Sequence, residues 1–261
     1  MCLRRLRLCV RMCRRWALIS NFDRPAPEMS RRLAEWLQGP RSRALRRAGI
    51  GRRECVLEVG SGHGFVTEEL ARRAAGEVVA VDAQFGALGV EPERPTGETP
   101  VARVTADGRA LPFDDASFDL VFFQNTLMWI DPLEDAVHEA ARVLAPGGEL
   151  VALEPDYGGM IEEPDLGLRV IWLDALERAG ADSLTGRKLP RLVEEAGLDP
   201  WVEFAHIPRP AEAEALDFLA ELPLTALQRE RVESAREVIT AAAGEWTIFL
   251  HVPWVMVIGS R

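Results

Sequence analysis

The feature that most constrains the fold is a short apolar segment that runs directly into three closely spaced glycines. Residues 56–64 read Val-Leu-Glu-Val-Gly-Ser-Gly-His-Gly. The apolar residues predict a buried β-strand, and the alternating glycines predict a tight turn whose backbone a ligand can approach closely. A helical pattern follows from Thr67 to Ala75, so the unpaired N–H groups at its start would face the same place. This unit predicts a strand, a ligand-binding turn and a helix.

The same alternation of short apolar segments and amphipathic helices continues along the chain. Further strands are predicted over residues 78–81, 101–105, 120–123 and 149–153, with a helix over 133–144. Such alternation is typical of a parallel sheet covered by helices on both faces. Between residues 86 and 100 there are three glycines and three prolines, so no long helix is expected there.

The segments on either side of this core predict additional helices. On the N-terminal side, one helix is expected over 29–37 with Gly39-Pro40 as its stop, and a short one over 42–48. On the C-terminal side we expect a helix within 184–197, a strand over 201–207, acidic helices over 211–222 and 225–243, and a final strand over 248–258. Since no linker divides this part, residues 21–261 are interpreted as one domain, preceded by a basic amphipathic extension at 1–20.

Charge and composition narrow the class of protein. The chain of 261 residues is long enough for one large α/β domain. Through Arg53 it carries 15 arginines and 3 acidic residues, whereas the remainder carries 16 basic and 38 acidic residues. An acidic body argues against binding to a nucleic-acid backbone, and the early arginines argue against a secretory signal. No apolar segment is long enough to span a bilayer. We therefore expect a cytoplasmic location and no membrane partner.

The four cysteines show no spacing typical of a zinc site. We therefore expect free thiols and no metal.

Further motifs follow the glycine turn in order. Asp82 ends the second strand and Asp107 the third, Phe118-Asp119-Leu120-Val121 opens the fourth, and Leu144 to Gly148 precedes the fifth. Together with the acid two residues before the first glycine, this series resembles the class I S-adenosylmethionine-dependent methyltransferases. The resemblance is to their small-molecule branch (methyltransferase type 11), which includes quinone-biosynthesis enzymes. It covers residues 54–157 closely and 186–197 more loosely.

This resemblance implies the fold and the cofactor. The fold would be a Rossmann-like, doubly wound, mostly parallel seven-stranded sheet with N-terminal helices and a helical insertion before the last strand. The cofactor would be S-adenosylmethionine, with S-adenosylhomocysteine as product.

The resemblance also implies a role for particular residues. Glu58 would hold the glycine loop, whose glycines line the methionine part of the cofactor. Asp82 would bind the ribose, Asp107 the adenine amino group, and Gln124 would face the methionine end and the acceptor. Gln84 or Phe85 would lie beside the adenine. The full set of expected cofactor residues is Glu58, Gly60, Ser61, Gly62, Gly64, Asp82, Ala83, Gln84, Asp107, Gly108 and Gln124.

The acceptor side is less well defined by the sequence. No catalytic residue is assigned, because the sulfonium is already activated and the protein mainly has to align the acceptor. Trp129 and Tyr157 are candidates for the acceptor pocket, whose walls we expect from residues 29–37 and 211–243. The histidines have ordinary structural explanations: His63 would face solvent in its loop, and His138, His206 and His251 lie in helix or strand patterns.

Two absences narrow the acceptor. The segment after the fourth strand, Gln124-Asn125-Thr126-Leu127, lacks both the Asn/Asp-Pro-Pro-aromatic motif and the Pro-Cys nucleophile of nucleic-acid methyltransferases. A small, partly apolar acceptor methylated on oxygen, nitrogen or carbon is therefore expected.

Alternatives stay open at this point. The same fold could bind the cofactor without turnover, whereas an NAD-dependent oxidoreductase is disfavoured because the third glycine comes one residue early. The oligomeric state is a separate question, and a homodimer is one alternative for it.

The first prediction concerns residues 1–18, which could be a dispensable extension, a lid or self-association element, or a helix for an anionic membrane surface. The resemblance begins only near Asn21, so we favour the extension. A chain that begins at Ser20 should keep its melting temperature within a few degrees and bind cofactor normally. A large loss of stability, or a change from dimer to monomer in light scattering, would contradict this interpretation.

Overall fold

The computed structural model describes residues 26–84, 101–205, 210–242 and 244–261. The expectations for residues 1–20, for Phe85, for the interval 86–100 and for His206 therefore lie outside the described residues.

The described residues form nine strands and eight α-helices. The strands are β1 (Cys55–Val59), β2 (Glu77–Asp82), β3 (Val101–Thr105), β4 (Phe118–Gln124), β5 (Leu144–Pro155), β6 (Ile161–Glu163), β7 (Asp199–Ala205), β8 (Phe249–His251) and β9 (Trp254–Ser260). The helices are α1 (Pro27–Trp36), α2 (Gln38–Arg47), α3 (Phe65–Arg73), α4 (Leu133–Val143), α5 (Leu168–Arg178), α6 (Thr185–Glu195), α7 (Asp217–Glu221) and α8 (Ala226–Ala241).

Seven of the strands form one sheet in the order β3-β2-β1-β4-β5-β9-β7. The first five strands are parallel to one another, and β9 is antiparallel to both β5 and β7. This confirms the expected mostly parallel seven-stranded sheet, and the α7–α8 insertion does precede the last strand. The strand order reverses between β1 and β4, and open sheets of this kind bind ligands at the carboxyl ends of the strands beside such a reversal.

Three groups of buried apolar residues stabilise this arrangement. Alternate residues of β1 separate two of them: Leu57 and Val59 belong to one face of the sheet and Val56 to the other. A third cluster joins α1, α5, α7 and α8 to the residues that follow β4 and β5. This third cluster therefore covers the edge of the sheet at which the carboxyl ends of the strands meet.

Two element predictions were wrong for reasons visible in the chain. The final strand does not run over 248–258 but divides into β8 and β9 at Val252-Pro253, because proline has no N–H to donate to a ladder. β8 instead pairs with β6 in a separate two-stranded sheet. Gly39-Pro40 does not end the helical region either, since Pro40 lies in the first turn of α2, where the missing N–H costs nothing.

The cysteine expectation also needs a correction. Cys55 is disulfide-bonded, so the expectation of a free thiol was wrong for this residue. The other three cysteines, Cys2, Cys9 and Cys13, lie outside the described residues.

A substitution in the centre of the sheet tests the core. Leu120 in β4 is fully buried, whereas Leu227 on α8 is 63% exposed. Leu120→Ala should lower the free energy of unfolding by about 2–5 kcal/mol through lost burial and a residual cavity. The control Leu227→Ala should change it by less than about 0.5 kcal/mol. Urea unfolding of both variants measures the difference, and equal effects would mean that β4 is not central.

Candidate functional site

The glycine turn between β1 and α3 has the conformation that its sequence predicts. Gly60, Gly62 and Gly64 have φ angles of 78°, 51° and 85°, a region that side chains other than glycine seldom occupy. A Cβ on Gly60 would lie 2.2 Å from the Thr126 side chain, whereas one on Gly62 would meet no described residue within 4 Å. The turn thus packs tightly at its first glycine and leaves open space beside its second.

Asp82, the last residue of β2, holds this turn. Its Oδ2 accepts a hydrogen bond from the backbone N–H of Gly62 at 2.9 Å, and its Oδ1 accepts one from the N–H of Gln84 at 2.9 Å. The carboxylate therefore ties the glycine turn of β1 to the segment that follows β2. Ala83 links Asp82 to Gln84 in the sequence.

Glu58 lies beneath the turn. It is buried, and its Oε2 accepts a hydrogen bond of 2.5 Å from the Thr67 hydroxyl on α3. Burial raises the pKa of Glu58 to about 7, although the Thr67 hydroxyl and the nearby charges of Arg103 and Arg41 act in the opposite direction. Glu58 therefore fastens the start of α3 to β1, next to the glycine turn.

Asp107 follows β3 and is engaged by an arginine that the sequence did not single out. Arg109 donates to its two oxygens from the backbone N–H at 2.9 Å, from Nε at 3.0 and 3.2 Å, and from Nη2 at 2.7 Å. Burial alone would raise the pKa of Asp107, but these hydrogen bonds outweigh it and hold the pKa below its ordinary value. The carboxylate is thus ionised and has room for few further donors. Gly108, between Asp107 and Arg109 in the sequence, packs against Val59 and Ile130, whose side chains would lie 3.1 Å from a Cβ at this position.

The chain turns sharply after β4. Gln124 ends the strand, and its amide oxygen accepts a hydrogen bond of 3.1 Å from Arg41 on α2. Asn125 has a φ of 51°, which is uncommon for a residue other than glycine. This turn brings the Thr126 hydroxyl within 2.9 Å of the Gln124 carbonyl oxygen and 3.4 Å of the Gly60 carbonyl oxygen. The loop after β4 therefore packs on the glycine turn.

Glu154, near the end of β5, holds the loop after β4 and was not among the expected site residues. Its Oε1 accepts the backbone N–H groups of Thr126 at 2.8 Å and Leu127 at 2.9 Å. The residue is fully buried, and this burial raises its pKa to about 7 against the effect of the backbone donors. The signal that could have identified it is an acid at the end of an otherwise apolar strand.

The two residues expected for the acceptor pocket lie in the segments that follow β4 and β5. Trp129 and Tyr157 stand in short 3-10 turns after β4 and β5, and Tyr157 stacks on Trp172 with ring centroids 4.7 Å apart. Burial raises the pKa of the Tyr157 hydroxyl, so it stays protonated at neutral pH. The surrounding apolar cluster includes Met29 and Leu33 of α1 together with Leu216, Phe218 and Val232 of the insertion. Both segments expected to form the pocket walls thus lie on this edge.

His63 in the glycine turn contacts α1. Its Nδ1 lies 3.1 Å from the Ser30 hydroxyl. This contact attaches the first helix to the turn, so the expectation of a solvent-facing side chain was incomplete. His138 bonds the Glu134 carbonyl of its own helix at 2.9 Å, and His251 lies in β8.

Several buried polar atoms at this edge have no hydrogen-bond partner within the described part of the chain. They are Ser61 Oγ in the glycine turn, Asn125 Oδ1 after β4, Thr105 Oγ1 at the end of β3 and Glu154 Oε2. Buried polar groups are normally satisfied, so unsatisfied ones at one place indicate a polar ligand. With the open space at Gly62, this set fits a ligand that carries several donors and acceptors. No group of three His, Cys, Asp or Glu side chains among the described residues could hold a metal ion.

Comparison with known proteins identifies this arrangement. Residues 57–152 match the methyltransferase domain family. The biotin biosynthesis bifunctional protein BioHC of Cellvibrio japonicus is 32% identical over 146 residues, 55% of this chain and 27% of that protein. The methyltransferase GfsG of Streptomyces halstedii is 30% identical over 193 residues, 70% of this chain and 64% of that protein. The chain thus spans from about a quarter to less than two thirds of these relatives' lengths.

Solved structures share the fold. Phosphoethanolamine N-methyltransferase 2 of Haemonchus contortus, in complex with phosphomonomethylethanolamine and S-adenosylhomocysteine, has a TM-score of 0.60 and 17% identity, covering 90% of this chain and 57% of that one. Residues 57–152 thus match a methyltransferase domain, and the described residues share the Rossmann-like fold of these methyltransferase structures. Among the helices of the described residues, none combines the length and the apolar character that crossing a membrane requires.

The buried acid of β5 generates a pH prediction. The pKa of Glu154 is about 7 in the folded chain and 4.5 as an ordinary glutamate. Between these values the folded protein retains a proton that the unfolded chain has lost, so this residue makes stability fall as pH rises through that window. Glu154→Gln keeps an acceptor for the Thr126 and Leu127 N–H groups but cannot ionise. Relative to wild type, it should gain stability between pH 5 and pH 8, by on the order of 3 kcal/mol at most.

Urea unfolding at both pH values measures this gain. The exposed Glu230→Gln on α8 is the control, for which the difference from wild type should not change with pH. A constant difference for Glu154→Gln would mean that Glu154 is ionised across the whole range.

Proposed function

We propose that the chain is a methyltransferase that transfers the methyl group of S-adenosylmethionine directly to a small-molecule acceptor. The observation that carries this proposal is the glycine turn after β1, held by Asp82 through the Gly62 N–H, with open space beside Gly62. The turn lies at the strand reversal of a class I methyltransferase fold, where ligands of such sheets bind.

The residues of this edge divide the binding of the cofactor among them. The backbone of Gly60, Ser61, Gly62 and Gly64 would line its methionine part, and Glu58 would keep α3 and the turn in register. Asp82 and Ala83 would border the ribose, with Gln84 beside the adenine. Asp107 and Gly108 would border the adenine, with Arg109 fixing the carboxylate.

When bound, S-adenosylmethionine supplies an activated methyl group, so the protein's contribution is chiefly alignment and exclusion of water. The loop 125–129, anchored by Glu154, would set the distance between the two ligands. Tyr157 keeps its proton at neutral pH, so its hydroxyl would orient an acceptor oxygen or nitrogen by donating a hydrogen bond. No general base is assigned.

The acceptor is proposed to be small and partly apolar. Methionines and aromatic residues from five segments share one apolar cluster here: Met29, Met128, Trp129, Tyr157, Met160, Trp172 and Phe218. Trp129 and Phe218 meet edge to face at 6.5 Å, and Trp172 and Phe218 are 5.7 Å apart. Such walls favour binding of an apolar or aromatic group by burial. Relatives act on malonyl-acyl carrier protein and demethylmenaquinone, according to their names.

Location and assembly belong to the same proposal. We propose a cytoplasmic enzyme that self-associates as a homodimer, for which the edge strand β7 exposes Val202 (39%). Light scattering measures the mass in solution.

Turnover decides between an enzyme and a protein that only binds the cofactor. The purified protein, given S-adenosylmethionine and a pool of small metabolites, should release S-adenosylhomocysteine, and mass spectrometry should find one metabolite heavier by a methyl group. Tight binding without any product would favour the binding protein. Absence of binding would overturn the proposal.

Loss of the Asp82 carboxylate tests the cofactor site. Asp82→Ala removes the acceptor for Gly62 and Gln84 and the proposed ribose contact, so S-adenosylmethionine should bind more weakly by about 1.5–3 kcal/mol. Calorimetric titration measures this, with Asp199→Ala at the exposed start of β7 as control. Unchanged affinity for Asp82→Ala would place the ribose elsewhere.

A further inference from the structure

Arg41 differs from the other arginines of α2. Its side chain is 4% exposed, whereas that of Arg43 on the same helix is 44% exposed and pairs with Glu203 at the surface. A buried guanidinium is costly unless its donors are paired. The burial of Arg41 therefore has to be explained by the groups that its guanidinium contacts.

The partners of Arg41 come from three elements. Nε and Nη2 donate to Glu69 Oε2 on α3 at 2.8 and 2.6 Å. Nη1 donates to the Ala34 carbonyl oxygen of α1 at 2.8 Å and to Gln124 Oε1 at the end of β4 at 3.1 Å. Arg41 thus connects the N-terminal helices to the strand end nearest the glycine turn.

The contact with Gln124 fixes the orientation of that amide. A guanidinium only donates hydrogen bonds, so it must face the amide oxygen and not the NH2 group. The Gln124 Nε2, with two donors, therefore faces away from Arg41. β4 pairs with β1 through Phe123 and Val59, directly before Gly60, so this amide stands beside the turn proposed for the methionine part of the cofactor.

The charges of Arg41, Arg73 and Glu69 favour binding of an anion beside Gln124. Glu69 Oε1 also accepts a hydrogen bond of 2.6 Å from Arg73. Two arginines thus share one carboxylate, and the cluster keeps a positive charge behind Gln124. Hydrogen bonds to a charged acceptor are stronger than those between neutral groups.

We propose that Arg41 is a positioning residue that turns the Gln124 amide so that its NH2 group donates to the carboxylate of the methionine part of S-adenosylmethionine. This rests on the proposed function and goes beyond it, because it assigns the recognition of one ionised group to one amide and its orientation to the N-terminal helices. Arg41 itself need not touch the cofactor.

The experiment compares two ligands, S-adenosylhomocysteine and its decarboxylated analogue, by calorimetric titration. Arg41→Met and Gln124→Leu should each weaken S-adenosylhomocysteine binding by about tenfold or more, as expected for a lost hydrogen bond to a charged group. Binding of the decarboxylated analogue should change little. The control Arg43→Met should bind both ligands as wild type does.

A double variant tests whether Arg41 acts through Gln124. In the Gln124→Leu background, Arg41→Met should cause no further loss of discrimination between the two ligands. Gln124→Leu leaves the Arg41–Glu69 ion pair in place, so it carries the test even if Arg41→Met does not fold.

The outcomes separate this inference from the proposed function. Wild type that binds neither S-adenosylmethionine nor S-adenosylhomocysteine overturns both. Wild type that binds, together with folded variants that weaken both ligands equally or neither, overturns only the role given to Arg41 and Gln124.

Discussion

Carboxylates that accept backbone N–H groups hold the ligand-binding edge of this sheet together. Asp82 binds the N–H of Gly62 in the glycine turn, and Glu154 binds those of Thr126 and Leu127 in the loop after β4. At the opposite end of β1, Asp119 accepts the N–H groups of Glu54 and Cys55 at 2.7 and 3.0 Å. Loops at strand ends have no ladder to satisfy their N–H groups. A carboxylate supplies acceptors from a neighbouring strand, so each loop is fixed by the register of the sheet below it.

Burial of two of these acids has an energetic consequence. Glu58 and Glu154 are both buried, and burial raises the pKa of each to about 7. Near neutral pH each is therefore poised between its charged and neutral forms, and the charged form is costly in the interior. The hydrogen bonds that Glu58 and Glu154 accept offset part of this cost, and they also fix the segments that donate them. The result is the placement of α3 and of the loop after β4 on either side of Gly60.

Sequence reasoning reached the parts of the site whose signals are local. The glycine turn and Asp82 follow from residue type and spacing alone, because a strand end and a positive φ leave clear marks in sequence. Glu154 was overlooked because one acid beside Pro155 resembles a loop residue until its burial is known. Arg41 could not be distinguished from its exposed neighbours, since its partners are up to 83 residues away. The division between β8 and β9 did have a local signal, Pro253, which the apolar pattern on both sides concealed.

The proposed cofactor half and the proposed acceptor half of the site differ in how far known proteins resemble them. The cofactor half, from the glycine turn through β4, lies within residues 57–152, the segment that matches the methyltransferase family. The acceptor half depends on α1, α5, α7 and α8, all outside that segment. Similarity within the matched segment therefore carries information about the cofactor and very little about the acceptor. In the proposed pocket, Met29, Trp172 and Phe218 would select the acceptor, and they share one apolar cluster with Met128 and Tyr157, which follow β4 and β5. A change of acceptor would thus require repacking of that cluster while the carboxylate-held loops beneath it stay in place.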